Sequence, residues 1–294
     1  MASDTEPILT PDLLAKLERM ELVSRKMFRG RMKGERRSRR RGQGIELADY
    51  RDYVPGDDIR FIDWNSYARL DRLFLKLFLE EEDLHVYPLI DASRSMDFGE
   101  PTKFQAARKL AAALGFIGLV RGDRVKIATL GARGPVPVFR SRRSLPRMLD
   151  YLEGLTCDEP VVLADSLKRF AVRESGQGIV ILISDLLDKG GFESALRYLL
   201  ARPWDIYIVH MLAEEDVDPQ LQGDVRLVDS EDGDVREISA NAALLRRYRQ
   251  TAEAFIRAVR DYCTRRNIVY VPARNDMPVD RLIGGYLRQR GLVR

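Results

Sequence analysis

The chain has 294 residues, of which 45% are hydrophobic and 32% are charged, with a formal net charge of +4. This composition excludes a wholly disordered chain, and the length suffices for one large core with a small attached domain. Cys157 and Cys263 lie far apart without CxxC spacing, so neither a disulfide framework nor a zinc site is indicated. No apolar run approaches the roughly 20 residues that cross a bilayer, and no signal peptide pattern is present, so we expect a cytoplasmic protein without a membrane span.

The N-terminal region combines a predicted helix with a strongly basic tract. Apolar residues at helical spacing predict a helix from Pro11 to about Arg25, with Thr10 as its N-cap. The tract Arg25–Arg41 holds ten Lys and Arg residues against one acid, and we expect a mobile loop. Such a tract could bind nucleic acid phosphates, but no aromatic residue accompanies it from Gly30 onward. Nucleic acid binding is therefore an alternative function and not the leading one.

The next segment, from Asp49 to Asp83, predicts β structure. Its pattern indicates strands around the Pro55-Gly56-Asp57 turn and then a long strand in RLFLKLFL. Opposite charges are expected to pair around a largely buried Trp64, the basic members being Arg51, Arg60 and Arg69 and the acidic members Asp57, Asp58 and Asp63. A second interpretation of this segment is a partner-binding surface formed by Asp57, Asp58, Arg60 and Trp64.

From residue 85 onward, apolar runs alternate with amphipathic stretches, a pattern typical of a mostly parallel sheet with helices on both faces. The runs are HVYPLID, DRVKIATLG, GIVILISD, WDIYIVHML and IVYVPA. The predicted helices span residues 102–121, 144–155, 163–174, 192–201 and 241–266. The first should be the most buried because it is rich in small residues, and an apolar stripe along the last predicts that it packs on the sheet.

Three smaller features complete the predicted α/β fold. An edge strand is expected at Val136, a β-hairpin around the Asp232-Gly233 turn, and a final helix interrupted by Gly284 and Gly285. We therefore divide the chain into four segments: an N-terminal helix and basic loop (1–43), a β segment (44–84), the α/β domain (85–275) and a C-terminal helix (276–294).

One motif carries chemistry: the run HVYPLIDASRSMDFG places Asp91, Ser93 and Ser95 just after a buried strand. Ligands of open α/β sheets bind at the carboxyl ends of strands, and one carboxylate with two hydroxyls supplies the hard oxygen ligands that Mg²⁺ prefers. The strand GIVILISD ends in Asp185, which could reach the same edge. The alternative is structural, with the serines capping a turn and Asp91 accepting backbone N–H groups.

This arrangement resembles the metal-ion-dependent adhesion site of von Willebrand factor A domains. In that site a DxSxS loop, a threonine from a second loop and an aspartate from a third surround one cation. Asp91, Ser93 and Ser95 match the first element and Asp185 matches the last, whereas Val161 stands where the threonine is expected. The resemblance thus implies a partly degenerate site for Mg²⁺ or Mn²⁺, with weak binding.

The β segment resembles the signature of the bacterial family called domain of unknown function 58, a von Willebrand A relative. The matching residues are Tyr50, Arg51, Tyr53, Pro55, Gly56, Asp57, Asp58, Arg60, Ile62, Asp63, Trp64, Ala68 and Arg69. Members are usually encoded beside MoxR-type AAA+ ATPases, which implies an adaptor or cochaperone that docks such an ATPase or its client. Many members carry transmembrane helices, and this sequence departs from them.

Enzyme activity finds little support in the sequence. His85 and His210 lie in predicted strands, and GxSxG, GxxxxGK[ST] and GxGxxG motifs are lacking. We therefore expect a non-enzymatic interaction module, with nucleic acid binding as the alternative and a metal-dependent hydrolase as a weaker third possibility.

Overall fold

The computed structural model describes residues 7–24, 46–79, 84–132, 134–157, 161–229 and 233–294. These residues form two compact units, one made of residues 46–79 and the other of the rest. The basic tract Arg25–Arg41, with its predicted mobility and nucleic acid contacts, lies outside the described residues.

The first helix begins where the sequence predicts. Helix α1 (Pro11–Leu17) starts with proline, and the Thr10 hydroxyl accepts a hydrogen bond from the Leu13 amide as its N-cap. The helix ends well before Arg25, and Leu22 pairs instead with Val293 in an isolated antiparallel bridge. The predicted length was therefore wrong.

The smaller unit is a two-stranded sheet with a helical insertion. Strand β1 (Glu46–Asp52) pairs antiparallel with β2 (Phe74–Leu79). Between them lie a 3₁₀ turn (Ile59–Phe61) and helix α2 (Trp64–Leu70), where a strand was expected after the Pro55-Gly56-Asp57 turn. Asp58 and Asp63 explain the difference, because each is an N-cap whose carboxylate accepts a backbone N–H at the start of one of these helical turns.

The charged residues of this unit pair largely as predicted. Arg51 contacts Asp57 at 2.6 Å and Arg60 contacts Asp58 at 2.7 Å. Asp63 instead pairs with Lys76 at 3.3 Å and accepts a hydrogen bond from Ser66, so the predicted Arg69 pair does not form. Trp64 was predicted to be largely buried, but it is 59% exposed because it begins the helix that Asp63 caps.

The larger unit contains one main sheet and a separate hairpin. In chain order its strands are β3 (His85–Ile90), β4 (Arg124–Lys126), β5 (Ala128–Thr129), β6 (Val138–Arg140), β7 (Gly178–Ser184), β8 (Asp205–Leu212), β9 (Gly223–Val228), β10 (Val235–Ala240) and β11 (Val269–Arg274). The main sheet has the order β11-β8-β7-β3-β4-β6, and β5 also pairs with β3. Its pairs are parallel except for β4 with β6, the predicted antiparallel edge. Strands β9 and β10 form the predicted hairpin as a sheet of their own.

The helices connect these strands close to the predicted positions. They are α3 (Lys103–Val120), α4 (Leu145–Glu153), α5 (Leu163–Arg173), α6 (Phe192–Leu200), α7 (Glu214–Val217), α8 (Ala242–Arg265) and α9 (Val279–Arg281). A π-helical turn, Leu282–Leu287, follows α9 and includes the two glycines that were expected to interrupt the last helix. Among the described helices, none is both long and apolar enough to cross a bilayer.

Helices cover both faces of the main sheet. Along β7, Ile179, Ile181 and Ile183 join the apolar cluster that includes α1, α3 and α4. The alternating residues Val180 and Leu182 join a second cluster with α5, α6 and α8. Because successive side chains of a strand point to opposite faces, the sheet is buried on both sides, as an α/β fold with a mostly parallel sheet requires.

Helix α3 is the most buried described helix, as predicted, with fourteen of its eighteen residues buried. A Cβ on Gly115 would lie 2.7 Å from the Met148 sulfur, so the small residue permits the close approach. Helix α8 packs on the sheet as predicted only through its last turns, where Val259, Tyr262 and Cys263 are buried in the second apolar cluster. Its first half is held by polar contacts, among them an ion pair between Arg249 and Asp218.

Candidate functional site

The DxSxS loop begins directly at the carboxyl end of β3. The Asp91 amide donates to the Ile183 carbonyl on β7 at 3.0 Å, which continues the strand pairing by one residue. The Asp91 carboxylate is buried and accepts the Ser93 amide at 3.0 Å. The Ser93 and Ser95 hydroxyl oxygens lie 3.0 Å apart. The motif therefore folds into a tight turn that gathers one carboxylate and two hydroxyls.

The far end of this loop is anchored by a close backbone approach. Gly99 has φ of +88°, a conformation that side chains rarely adopt, and a Cβ there would lie 2.3 Å from the Asn275 amide nitrogen. Asn275, at the end of β11, donates to the Pro101 carbonyl at 2.6 Å. Thr102 then caps α3 in a reciprocal pair with Gln105. The loop is thus fixed at both ends.

The structure places Asp91 and Asp185 at the ends of adjacent parallel strands. Ile90 pairs with Ile183, and Asp185 follows β7 by one residue. The Ser184 hydroxyl donates to the second Asp91 carboxylate oxygen at 2.5 Å, which links the two strand ends directly. Each Asp91 carboxylate oxygen therefore accepts one hydrogen bond from within the protein, as a purely structural role for this residue would require.

Asp185 has a partner that sequence reasoning missed. The Lys103 ammonium lies 2.7 Å from Asp185 and 2.9 Å from Asp216, and the lysine side chain is 1% exposed. Burial acts to lower the pKa of Lys103, but the two carboxylates outweigh it and raise that pKa above its usual value. The available signal was a lysine at the first position of a helix, where the dipole disfavours a cation. Nothing in the sequence pattern marks Asp216 as its second partner.

His210 lies beneath Asp185 as a buried residue of β8, in accord with its expected place in the core. Its Nε2 is 2.9 Å from the Asp185 carbonyl, and its Nδ1 is 2.9 Å from the Tyr270 hydroxyl. A carbonyl only accepts, so Nε2 donates and Nδ1 accepts the Tyr270 proton. Burial lowers the pKa of His210 to about 4, which keeps the imidazole neutral near pH 7.

These residues border a cleft of about 540 Å³ at the carboxyl end of the sheet. Asp91, Ser93, Ser95 and Asp185, the four predicted site residues, all line it. Val161 also lines the cleft, on the loop before α5, and the Asp188 carboxylate fixes that loop by accepting the Leu163 amide at 2.8 Å. The border of the cleft is mixed: Val162 and Leu187 are 54% and 49% exposed, and Lys189 pairs with Asp229 at 3.1 Å beside them. Asp57, Asp58, Arg60 and Trp64 belong to the smaller unit.

Among the predicted site residues, the oxygen donors that suit a divalent cation lie on the DxSxS loop. Asp91, Ser93 and Ser95 offer three oxygens, whereas Val161 offers none and Asp185 is engaged by Lys103. Burial, and next the charge of Asp185, raise the pKa of Asp91 to about 6. The surroundings of Asp91 therefore disfavour its ionised form. Within the described ranges, no three His, Cys, Asp or Glu side chains are grouped to hold a metal. The residues fit a weakly held, largely hydrated ion and not a complete adhesion site.

Comparison with known proteins identifies the family. The family described as "Protein of unknown function DUF58" matches residues 49–258. Uncharacterized proteins of Mycobacterium bovis and Mycobacterium tuberculosis are 31% identical over 255 residues, which is 83% of this chain and 79% of theirs. A crystal structure of the conserved hypothetical protein BatB from Bacteroides thetaiotaomicron aligns with a TM-score of 0.40 and 13% identity, over 70% of this chain and 98% of that one. The chain therefore belongs to the DUF58 family.

Proposed function

We propose that this protein is a non-enzymatic interaction module of the von Willebrand A type, which docks a MoxR-type AAA+ ATPase or its client at the Asp91 cleft. The observation that carries the proposal is the folded DxSxS loop at the carboxyl end of a mostly parallel sheet, inside an open cleft. The MoxR partner rests on the family resemblance, and the family membership supports it.

The shape and chemistry of the cleft favour binding over catalysis. His85 and His210 both serve the fold, since His85 contacts the Tyr87 hydroxyl at 3.0 Å and His210 holds the Asp185 carbonyl. Neither histidine lines the cleft beside Asp91. The exposed apolar side chains of Val162 and Leu187 stand beside oriented polar groups in this cleft, and protein contacts combine apolar area with directional hydrogen bonds in this way.

Asp91, Ser93 and Ser95 would hold a Mg²⁺ or Mn²⁺ ion, which when bound supplies a positive charge that attracts a partner's Asp or Glu. The Ser93 and Ser95 hydroxyls, 3.0 Å apart, present their oxygens together, and the Asp91 carboxylate lies on the same turn. With Val161 in place of threonine, the protein contributes few ligands, and we expect weak binding of the free ion. A partner carboxylate would then add affinity by completing the set.

The test is capture of a purified MoxR-type AAA+ ATPase by the full-length protein, with Mg²⁺ and with EDTA. Asp91→Ala should weaken binding at least about tenfold, a loss of about 1.4 kcal/mol, and EDTA should have the same effect on the wild type. Asp97→Ala is the matched control, because Asp97 is an exposed acid on the same loop that does not line the cleft. Absence of capture with folded protein and Mg²⁺ present would refute the proposal.

The exposed face of the smaller unit provides the second arm of the experiment. Trp64 is 59% exposed and packs edge-on against Tyr67, with ring centroids 6.3 Å apart. Exposed aromatic residues are frequent anchors of protein contacts. If Trp64→Ala loses the ATPase while Asp91→Ala keeps it, the partnership stands and the cleft is not its site.

A further inference from the structure

We infer that Lys103 is a resident cation that takes the place of a metal beside this cleft: its ammonium lies between Asp185 and Asp216, where a divalent ion would otherwise bind, and it confines any metal to the DxSxS loop. The inference deepens the proposed function and rests on it for the role of the cleft. Its test measures metal binding by variants and not partner capture, so the two proposals can fail separately.

Burial of the Lys103 ammonium at this position is unfavourable unless neighbouring carboxylates neutralise it. The side chain is 1% exposed, and lysine is almost never fully buried unless it is paired. Lys103 is also the first residue of the eighteen-residue helix α3, where the helix dipole opposes a positive charge. A neutral residue would suit both the burial and the helix start, so the two carboxylates are what favour a cation here.

Both carboxylate oxygens of Asp185 have donors within the protein. One carboxylate oxygen accepts the Leu187 amide at 3.1 Å, and the other accepts the Lys103 ammonium at 2.7 Å. The Asp185 carbonyl accepts the His210 proton at 2.9 Å. Each oxygen of Asp185 therefore has a donor within the protein, and a metal bound between Asp185 and Asp216 would have to displace Lys103.

Asp216 completes the cluster from a different element. It lies on α7, and the oxygen that contacts Lys103 at 2.9 Å also accepts the Ala213 amide at 2.9 Å. One ammonium thus joins the carboxyl ends of β7 and β8, where the family resemblance would place a metal ligand. Removal of the ammonium would leave two carboxylates facing the same point, and oxygen ligands of this kind are what Mg²⁺, Mn²⁺ and Ca²⁺ bind.

The experiment substitutes Lys103→Met, which keeps an unbranched apolar side chain one atom shorter than that of lysine and removes the charge. Without metal, this variant should melt at a lower temperature than the wild type, because it buries two unpaired carboxylates. Titration with Mn²⁺ or Ca²⁺ at constant ionic strength should raise its melting temperature, with a Kd at least about tenfold tighter than that of the wild type. Adding Asp185→Asn to the variant should abolish the gain. A purely structural ion pair would lower the melting temperature without making it depend on metal, and that result would overturn the inference.

A charge-matched pair of substitutions keeps the test decisive if Lys103→Met does not fold. Lys103→Met with Asp216→Asn leaves one carboxylate, so the cluster retains the net charge of −1 that one ammonium and two carboxylates have in the wild type. Asp185 is then released for coordination, and metal affinity should still exceed that of the wild type. Affinity equal to the wild type in this variant would contradict the inference.

Discussion

His210 is expected to make the folded state sensitive to mild acid. Its pKa is about 4 in the folded protein against an ordinary value of 6.5, so the unfolded chain binds the proton more readily between these limits. The contribution of His210 to the free energy of unfolding is therefore fully present above pH 6.5 and is lost as the pH falls toward 4. Between pH 7 and pH 5 this one group should cost about 2 kcal/mol of unfolding free energy.

Asp91 acts in the opposite direction over the same interval. Its pKa is raised to about 6 from 3.8, so the folded state binds the proton more readily and gains about 1 kcal/mol between pH 7 and pH 5. The two groups partly cancel in the wild type. The variant His210→Gln keeps a donor for the Asp185 carbonyl and an acceptor for Tyr270. In this variant the acid-dependent loss of unfolding free energy caused by His210 should disappear, and only the increase caused by Asp91 should remain.

The assay is urea unfolding of the wild type and His210→Gln at pH 7 and at pH 5. The change in unfolding free energy between the two pH values should differ by about 2 kcal/mol between the two proteins. Other titrating groups contribute equally to both and cancel in that difference. A difference below about 0.5 kcal/mol would show that His210 is protonated alike in the folded and unfolded states, contrary to this prediction.

Three further predictions concern single substitutions. Val161→Thr should supply the missing hydroxyl and enlarge the Mg²⁺-dependent rise in melting temperature, whereas the same change at exposed Val162 should not. Trp204→Ala should cost about 3–5 kcal/mol in urea unfolding because Trp204 is fully buried, while Trp64→Ala should cost less than about 1 kcal/mol. Gly178→Ala should cost about 3 kcal/mol or abolish expression of folded protein, since its Cβ would lie 1.9 Å from a backbone oxygen of β3; a stable, soluble variant would contradict this packing.

Sequence periodicity located the elements of the main sheet well because both faces of each central strand are buried. An unbroken apolar run such as GIVILIS has few other stable placements, and the helices between such runs begin at recognisable caps, as α3 does at Thr102. Periodicity failed where burial is partial. The apolar stripe of α8 continues into its exposed first half, and α2 has too few turns to show a period at all.

The sequence predicted those parts of the candidate site whose residues are close together along the chain or follow a buried strand. Asp91, Ser93 and Ser95 lie within five residues, and Asp185 could be added because it also follows a buried strand. The Lys103 contact with Asp216 joins residues 113 positions apart, and only the strand order brings them together. Spacing alone therefore found the anionic side of the site and missed the cation that neutralises it.

The strand order also determines when the cleft can form during synthesis. Strand β3 pairs with β4 and β5, which emerge soon after it, but its other neighbour, β7, ends only at Ser184. The ion pair between Lys103 and Asp216 can form only later, because Asp216 is synthesised after β7 is complete. At about 5–20 residues per second, a growing chain carries the loop of Asp91 for roughly 6–25 s before Asp216 is made. A partner that requires the assembled cleft would thereby distinguish finished molecules from nascent ones on the ribosome.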